Sequence, residues 1–210
     1  HLIHTAFQEK YLEEVLSTTI DKLDLSGNNS IKDNKITHVV FAVTSANKSN
    51  SRFNPLPLYL RAVSIDRFFK QFREKIGVSH SIVPIPHFDP TDKYVELLLK
   101  EIKESEGLTL DSSNTIVLAS TPFLINMYQS KGFPVLTAEY DTRSSSYKAL
   151  APNKIIESFS KIDQWETDLD FQSYLAKATI SFWRDYPSAP TIIHSIWREP
   201  LLTDSGSLTE

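Results

Sequence analysis

Cysteine is absent from this 210-residue sequence, and glycine is scarce, with five residues. Without cysteine there is neither a disulfide framework nor a thiolate metal site, and cysteine-based catalysis is excluded. The five glycines form no Walker loop and no G-x-G-x-x-G loop, and no G-x-S-x-G motif marks a serine hydrolase. The sequence also lacks an apolar run of the roughly 20 residues that a membrane span needs, and its first residues lack the pattern of a signal peptide. These absences are typical of a cytoplasmic protein, or of a nuclear one in a eukaryote.

Charges of the two signs are nearly balanced, with 26 acidic and 22 basic residues and a net charge of -4. Such a chain has no bulk attraction to nucleic acid or to an anionic membrane. With 40% hydrophobic residues it can bury one sizeable core, but it is short for two domains. We therefore expect a single domain over residues 1–210 that binds neither nucleic acid nor membranes. The sequence leaves open whether the protein forms a homo-oligomer.

A buried strand, a polar loop and an amphipathic helix follow one another near the centre of the sequence. The strand is predicted at 38–43 and the glycine-free loop at 44–57, after which apolar residues recur at helical spacing until Gly77. In parallel α/β units ligands bind where strands end and helices begin, so this loop is the first candidate for a binding site. Its polar and basic side chains include Ser45, Asn47, Lys48 and Arg52.

Strands and helices alternate along most of the sequence. Further strands are predicted at 81–85, 115–119, 134–138 and 191–197. Further helices are predicted at 3–24, from Asp89 or Thr91 to Gly107, from Ser120 to Gly132, at 152–162 and at 168–178. This alternation implies a right-handed, parallel wound sheet. We therefore predict an α/β fold with a Rossmann-like parallel sheet of about five strands and helices on both faces. A helix that opens such a domain normally follows a strand, and none precedes the helix predicted at 3–24.

The order of these elements, together with several short motifs, resembles the HIGH-motif nucleotidyltransferases, most nearly the nicotinamide-mononucleotide adenylyltransferase branch. In that family a strand ends in a glycine-rich turn and H-x-G-H opens the first helix. Here His1-Leu2-Ile3-His4 stands directly before the first helix. The resemblance implies that the family's first strand would lie just upstream of His1. It also implies that His1 and His4 are catalytic and hold phosphate at the positive end of the helix dipole.

Other segments resemble the family in the same order. Three matches to its polar S-A-x loop, its N-P-F segment and the arginine of the following helix are Ser45-Ala46-Asn47, Asn54-Pro55-Leu56 and Arg61. The segment VPIPHFDPTDKYV is similar to an I-P-I-P-D segment, which implies that Tyr94 stacks on the acceptor's nicotinamide ring and that His87 lines the acceptor pocket. Ser205-Gly206-Ser207 resembles the S-x-T/S-x-x-R signature, whose helix N-terminus binds the triphosphate.

Two departures from the family pattern bear on catalysis. Ile3 stands where the family has glycine, and glycine there lets backbone and nucleotide approach closely. Glu210 stands about where the C-terminal signature has its arginine. Both departures weigh more against catalysis than against the fold.

The resemblance implies a transferase of NAD biosynthesis, which passes AMP from ATP to nicotinamide or nicotinate mononucleotide and releases pyrophosphate. Catalysis of this kind is positioning plus electrostatic stabilisation, with Mg²⁺ bridging phosphate oxygens rather than bound by a protein metal site. The residues implied for nucleotide and phosphate binding are Ser45, Asn47, Lys48, Arg52, Arg61, Ser205 and Ser207. The alternatives are an inactive or weakly ATP-hydrolysing relative that binds nucleotide or a protein partner, and an unrelated Rossmann-like interaction domain.

Each candidate residue also has a structural interpretation. The loop cations fit solvated surface charges, and the two C-terminal serines fit ordinary tail residues. Arg61 fits a hydrogen-bonding residue that supports the loop, and Tyr94 fits a core aromatic of its helix. The paired histidines fit an ordinary solvated first turn or the remnant of a tag.

Overall fold

A computed structural model of the chain describes residues 3–27, 30–51, 54–137 and 152–198. Within these ranges there are five strands and eight α-helices. The strands are β1 (Leu25–Ser26), β2 (His38–Val43), β3 (Ser79–Pro84), β4 (Val117–Ala119) and β5 (Val135–Thr137). The helices are α1 (Ala6–Ser17), α2 (Leu58–Ile76), α3 (Tyr94–Glu106), α4 (Pro122–Ser130), α5 (Pro152–Phe159), α6 (Leu169–Gln172), α7 (Lys177–Asp185) and α8 (Ser188–Arg198).

The strands form two small, mostly parallel sheets. In the first, β2 runs parallel to β3, with Val43 opposite Pro84 at their carboxyl ends. In the second, β5 pairs parallel with β4 and antiparallel with the two-residue β1. The described residues are therefore mixed α/β, as predicted, but their strands do not join into one sheet.

The β2–α2 unit forms where the sequence predicts it. Phe41 and Val43 of β2 pack against the face of α2 that carries Phe69 and Phe72. Val40 and Ala42 point to the other face of the strand and join the apolar cluster beneath α3. Because β2 has helices on both of its faces, its residues 39–43 are all apolar rather than alternating with polar ones. The helix ends as predicted at Gly77, whose φ of 79° is the left-handed conformation that glycine adopts without strain.

The first helix is shorter than the 3–24 predicted from its apolar spacing. It begins in a capping box, in which Thr5 Oγ1 accepts from the Gln8 N–H and Gln8 Oε1 accepts from the Thr5 N–H. It ends where the β-branched pair Thr18 and Thr19 adopts extended dihedrals, and a short 3₁₀ turn follows over Ile20–Lys22.

Helices α5 to α8 pack around an aromatic cluster. The prediction of a strand at 191–197 is wrong, because this segment belongs to α8. Its buried residues Ala189, Pro190 and Ile193 follow helical spacing, and proline is tolerated in a first turn. The single helix predicted at 168–178 is divided into α6 and the start of α7. Between these two helices, Leu175 forms an isolated β-bridge with Thr5.

Two helices contact both sheets. On one side α1 packs Leu12 and Leu16 on the β2 cluster, and its Tyr11 hydroxyl donates to Thr137 O at the end of β5, 3.0 Å away. On the other side α3 lies across both sheets: Val95 clusters with residues of β4 and β5, and Leu98 with residues of β3. The two sheets are thus held side by side by helices on opposite faces.

Across the described ranges, the helices are too short or too polar to cross a membrane.

Candidate functional site

The carboxyl ends of β2 and β3 lie next to each other, so the loops that follow them form one surface. The ladder continues past the strands, since the Ile85 N–H donates to Val43 O at 3.0 Å and the Ala46 N–H donates to Ile85 O at 2.9 Å. Residues 44–51 and 85–93 are therefore neighbours at this edge. In parallel sheets this edge is where ligands bind.

Arg61, on the first turn of α2, anchors the loop after β2. Its guanidinium lies beneath the loop, and the residue is only 2% exposed. Nη1 donates to Thr44 O at 3.0 Å and to Asn54 Oδ1 at 3.4 Å. Nη2 donates to Ser45 O at 3.0 Å and to Lys48 O at 3.3 Å. The side chain thus holds three carbonyls and one amide of the loop in a fixed arrangement.

All four acceptors of Arg61 are neutral, and no carboxylate of the described residues forms an ion pair with it. Burial lowers the pKa of the Arg61 guanidinium, although an arginine remains charged in such a site. A buried positive charge without an acidic partner favours a negative charge nearby. The loop surface above Arg61 is therefore suited to an anion.

The loop contains strained backbone where Arg61 holds it. Ser45 has φ of 52° and Asn50 has φ of 58°, and both are in the left-handed region that residues with a side chain seldom adopt. Strain of this kind persists only where surrounding contacts impose it, and it clusters at binding sites. At Ser45 the carbonyl oxygen accepts from two donors, Arg61 Nη2 and the Lys48 N–H, each at 3.0 Å.

Ser45, Asn47 and His87 connect the two loops. The Ser45 hydroxyl lies 3.0 Å from His87 Nδ1, and the His87 backbone N–H donates to Asn47 Oδ1 at 2.8 Å. His87 and Asn47 are exposed, and so is Lys48. The structure therefore brings four of the predicted site residues together with Arg61 at this edge.

His4 is placed elsewhere, in the core between α2 and α7. It is 3% exposed, and its ring stacks on Phe68 with a centroid distance of 4.1 Å. The backbone N–H of His4 donates to Thr179 Oγ1 at 3.2 Å, and the Thr179 hydroxyl donates back to the His4 backbone oxygen at 2.8 Å. Burial lowers the pKa of His4 to about 3, so the ring is neutral at pH 7. Its catalytic role stays a prediction.

This burial makes folding stability depend on pH. Between pH 6.5, the ordinary pKa of His4, and about 3, the unfolded chain binds a proton that the folded one does not, so stability falls as the pH falls. From pH 7 to pH 5 the loss from this residue is about 2 kcal/mol. We expect His4→Phe, which keeps a ring against Phe68, to remove that part of the pH dependence in urea unfolding.

Phe7→Leu is the control for that experiment, because it changes the packing of a ring of α1 that binds no proton. It should leave the difference between pH 7 and pH 5 close to that of the wild type. An unchanged pH dependence in His4→Phe would contradict the burial of a neutral ring at this position.

Tyr94 lies half-buried at the start of α3. Its ring meets Phe88 edge-on at a centroid distance of 6.2 Å, and it packs against the apolar clusters of both sheets. Burial raises the pKa of its hydroxyl. This environment matches the core aromatic that the sequence left open as the alternative to a stacking platform.

The remaining predicted site residues, which are His1, Arg52, Ser205 and Ser207, lie outside the described residues. Among the residues that are described, no three His, Asp or Glu side chains converge as metal ligands.

Sequence reasoning missed two features of the site. The sequence predicts no contact for Asn54, which is matched only as the first residue of the N-P-F segment, yet its side-chain oxygen accepts from Arg61. The Ser45–His87 contact joins residues 42 positions apart, and its only sequence signal is that both follow strands that are neighbours in a parallel sheet.

No protein-family model matches the chain, and no curated protein matches its sequence significantly.

Proposed function

We propose that the protein binds ATP and a mononucleotide at the carboxyl ends of β2 and β3, and that it transfers AMP from ATP to the mononucleotide. The acceptor in this proposal is nicotinamide or nicotinate mononucleotide, and the products are a dinucleotide and pyrophosphate. The reaction needs no protein nucleophile, because the attacking group is the phosphate of the acceptor. The protein's task is to gather and orient negatively charged groups.

The observation that carries the proposal is the loop anchored by Arg61. A buried guanidinium bonded to neutral acceptors alone supplies positive charge beneath the loop, and Lys48 supplies it above. In the described part of the chain, Lys48 forms no ion pair, so its ammonium group is available to a phosphate. Mg²⁺ would enter with ATP, held mainly by phosphate oxygens and water.

The finer architecture belongs to the same proposal. One further parallel strand between β2 and β4 would join the two sheets into a Rossmann-like sheet of about five strands. The contacts of α1 and α3 with both sheets support this arrangement, because each helix then covers the junction from one face.

Isothermal titration of the protein with ATP, in the presence of Mg²⁺, tests the proposal directly. We expect saturable binding and a Kd about tenfold weaker for Lys48→Ala, since a charge-assisted bond to phosphate contributes about 1.5 to 3 kcal/mol. The matched control is Lys100→Ala, on the exposed face of α3, which should bind ATP like the wild type. Absence of ATP binding by the wild type would refute the proposed function.

A second candidate function is a nucleotide-binding module without transferase activity. Two observations favour it: His4 is buried and neutral, and Ile3 is 2% exposed in the core cluster of the C-terminal helices. Neither side chain is placed to contact a bound phosphate from these positions. Pyrophosphate release distinguishes the two functions. The transferase releases pyrophosphate only when ATP and the mononucleotide are both present, whereas the binding module releases none under any of these conditions.

A further inference from the structure

The exposed His87 ring contacts the Ser45 side chain, whereas the ring of an ordinary surface histidine contacts only solvent. His87 is exposed, so burial does not fix its ring. Instead the ring contacts Ser45 Oγ at 3.0 Å through Nδ1, and its backbone is held by the bond to Asn47 at 2.8 Å. Ser45 is in turn in a left-handed conformation, and its carbonyl oxygen is held by Arg61 and by the Lys48 N–H. A chain of contacts therefore runs from the buried guanidinium to an exposed imidazole.

The hydrogen-bonding capacity of the two side chains determines what the ring offers to a ligand. A neutral imidazole carries its proton on one nitrogen and has a lone pair on the other. When the Ser45 hydroxyl donates to the lone pair of Nδ1, the ring proton is on Nε2. His87 then presents an N–H donor at the edge where both strands end. Such a donor suits an anionic oxygen.

The charges around the pair agree with an anionic ligand. Lys48 and Asn47 are on the same loop, and the Arg61 guanidinium lies beneath it. Asp89 is the nearest carboxylate in the sequence after His87, and it is exposed. No described carboxylate contacts the His87 ring.

We propose that His87 donates a hydrogen bond from Nε2 to a phosphate oxygen of the bound nucleotide, and that Ser45 is the positioning residue that fixes this tautomer. This inference rests on the proposed function, and it changes the role of His87 from lining the acceptor pocket to binding phosphate. The phosphate belongs either to ATP or to the mononucleotide, and the two sources are separable by titration.

The tautomer is tested without any ligand. Long-range ¹H–¹⁵N spectra of the full chain at pH 8, where an imidazole is ordinarily neutral, distinguish a protonated Nε2 from a protonated Nδ1. We expect His87 of the wild type to be protonated on Nε2, and Ser45→Ala to convert it to a mixture. Ser49→Ala, an exposed serine of the same loop, is the control and should match the wild type. A mixture in the wild type would overturn the positioning role of Ser45.

The phosphate contact is tested by titrating ATP with Mg²⁺, and separately nicotinamide mononucleotide. We expect His87→Ala to weaken binding of one of them about tenfold, which identifies the phosphate that His87 contacts. His87→Gln keeps an N–H donor near the position of Nε2 and should retain most of the affinity. If His87→Ala binds both ligands like the wild type, the inference is wrong while the proposed function stands. If the wild type binds neither ligand, both are wrong.

Discussion

Replacing Arg61 with methionine is expected to lower the free energy of unfolding by about 3 kcal/mol and to weaken ATP binding about tenfold or more. Methionine keeps most of the side-chain volume but has no donor for Thr44 O, Ser45 O, Lys48 O or Asn54 Oδ1. These acceptors lie at the base of the loop. Ser45 O keeps its bond from the Lys48 N–H, whereas the other three would need water or a new partner. Urea unfolding and isothermal titration with ATP measure the two effects.

The expected loss of folding stability in Arg61→Met is the balance of two effects, the lost hydrogen bonds and the removed desolvation cost. Removing a buried guanidinium also removes the cost of keeping it from water, which lessens the effect of the lost bonds. The Lys48 N–H acts in the same direction, because it stays bonded to Ser45 O and leaves this carbonyl one partner after the substitution. Folding stability therefore falls by less than four charge-assisted bonds would suggest. The affinity for ATP has no such compensation, because the loop loses its fixed shape.

Two variants control the Arg61 experiment. Arg184→Met removes an exposed arginine from α7 and should change neither stability nor ATP affinity noticeably. Arg61→Lys keeps the charge but loses the planar fork, so it should recover only part of the loss. Wild-type ATP affinity in Arg61→Met would show that the loop binds nucleotide without its anchor, and it would contradict the proposed site.

The central part of the fold was predictable because local and tertiary requirements agree there. The apolar run 39–43 of β2 suits a strand covered on both faces, and Gly77 is a residue that the left-handed end of α2 requires. For α8 the two requirements differ. The β-branched residues Thr191, Ile192 and Ile193 favour a strand locally, yet packing against the aromatic cluster makes the segment helical.

The candidate site was predictable as a location but not as a set of contacts. Strand order along the chain indicates that the loops after β2 and β3 meet, which brings Ser45, Lys48 and His87 to one edge. The burial of His4 could not be read from spacing, because it depends on Phe68 and on α7, more than 170 residues further along the chain. Polar residues are mostly exposed in folded proteins, and only tertiary packing makes His4 a core residue.

Replacing Trp183 with alanine is expected to lower the free energy of unfolding by about 4 kcal/mol. The ring is 1% exposed and contacts Phe159, Trp165 and Phe171 at centroid distances of 4.8, 5.1 and 6.4 Å. Alanine would leave a large cavity among rings that close only partly around it. Far-ultraviolet circular dichroism during urea unfolding measures the effect without depending on tryptophan fluorescence.

Trp183→Phe separates packing from hydrogen bonding in this experiment. Trp183 Nε1 is buried without a hydrogen-bond partner in the described ranges, so removing it costs no bond, and phenylalanine fills most of the space. We therefore expect a loss of about 1 kcal/mol for this variant, and a smaller change for Leu169→Ala on the exposed surface of α6.

The same aromatic cluster supports the candidate site, which makes its stability relevant to binding. Leu56 and Leu60, on either side of the loop-to-helix junction before Arg61, belong to this cluster together with Trp183. The C-terminal helices thus fix the start of α2, and α2 fixes the loop through Arg61. If Trp183→Ala lost under 1 kcal/mol, the C-terminal helices would not unfold together with the sheets, and this support for the loop would be absent.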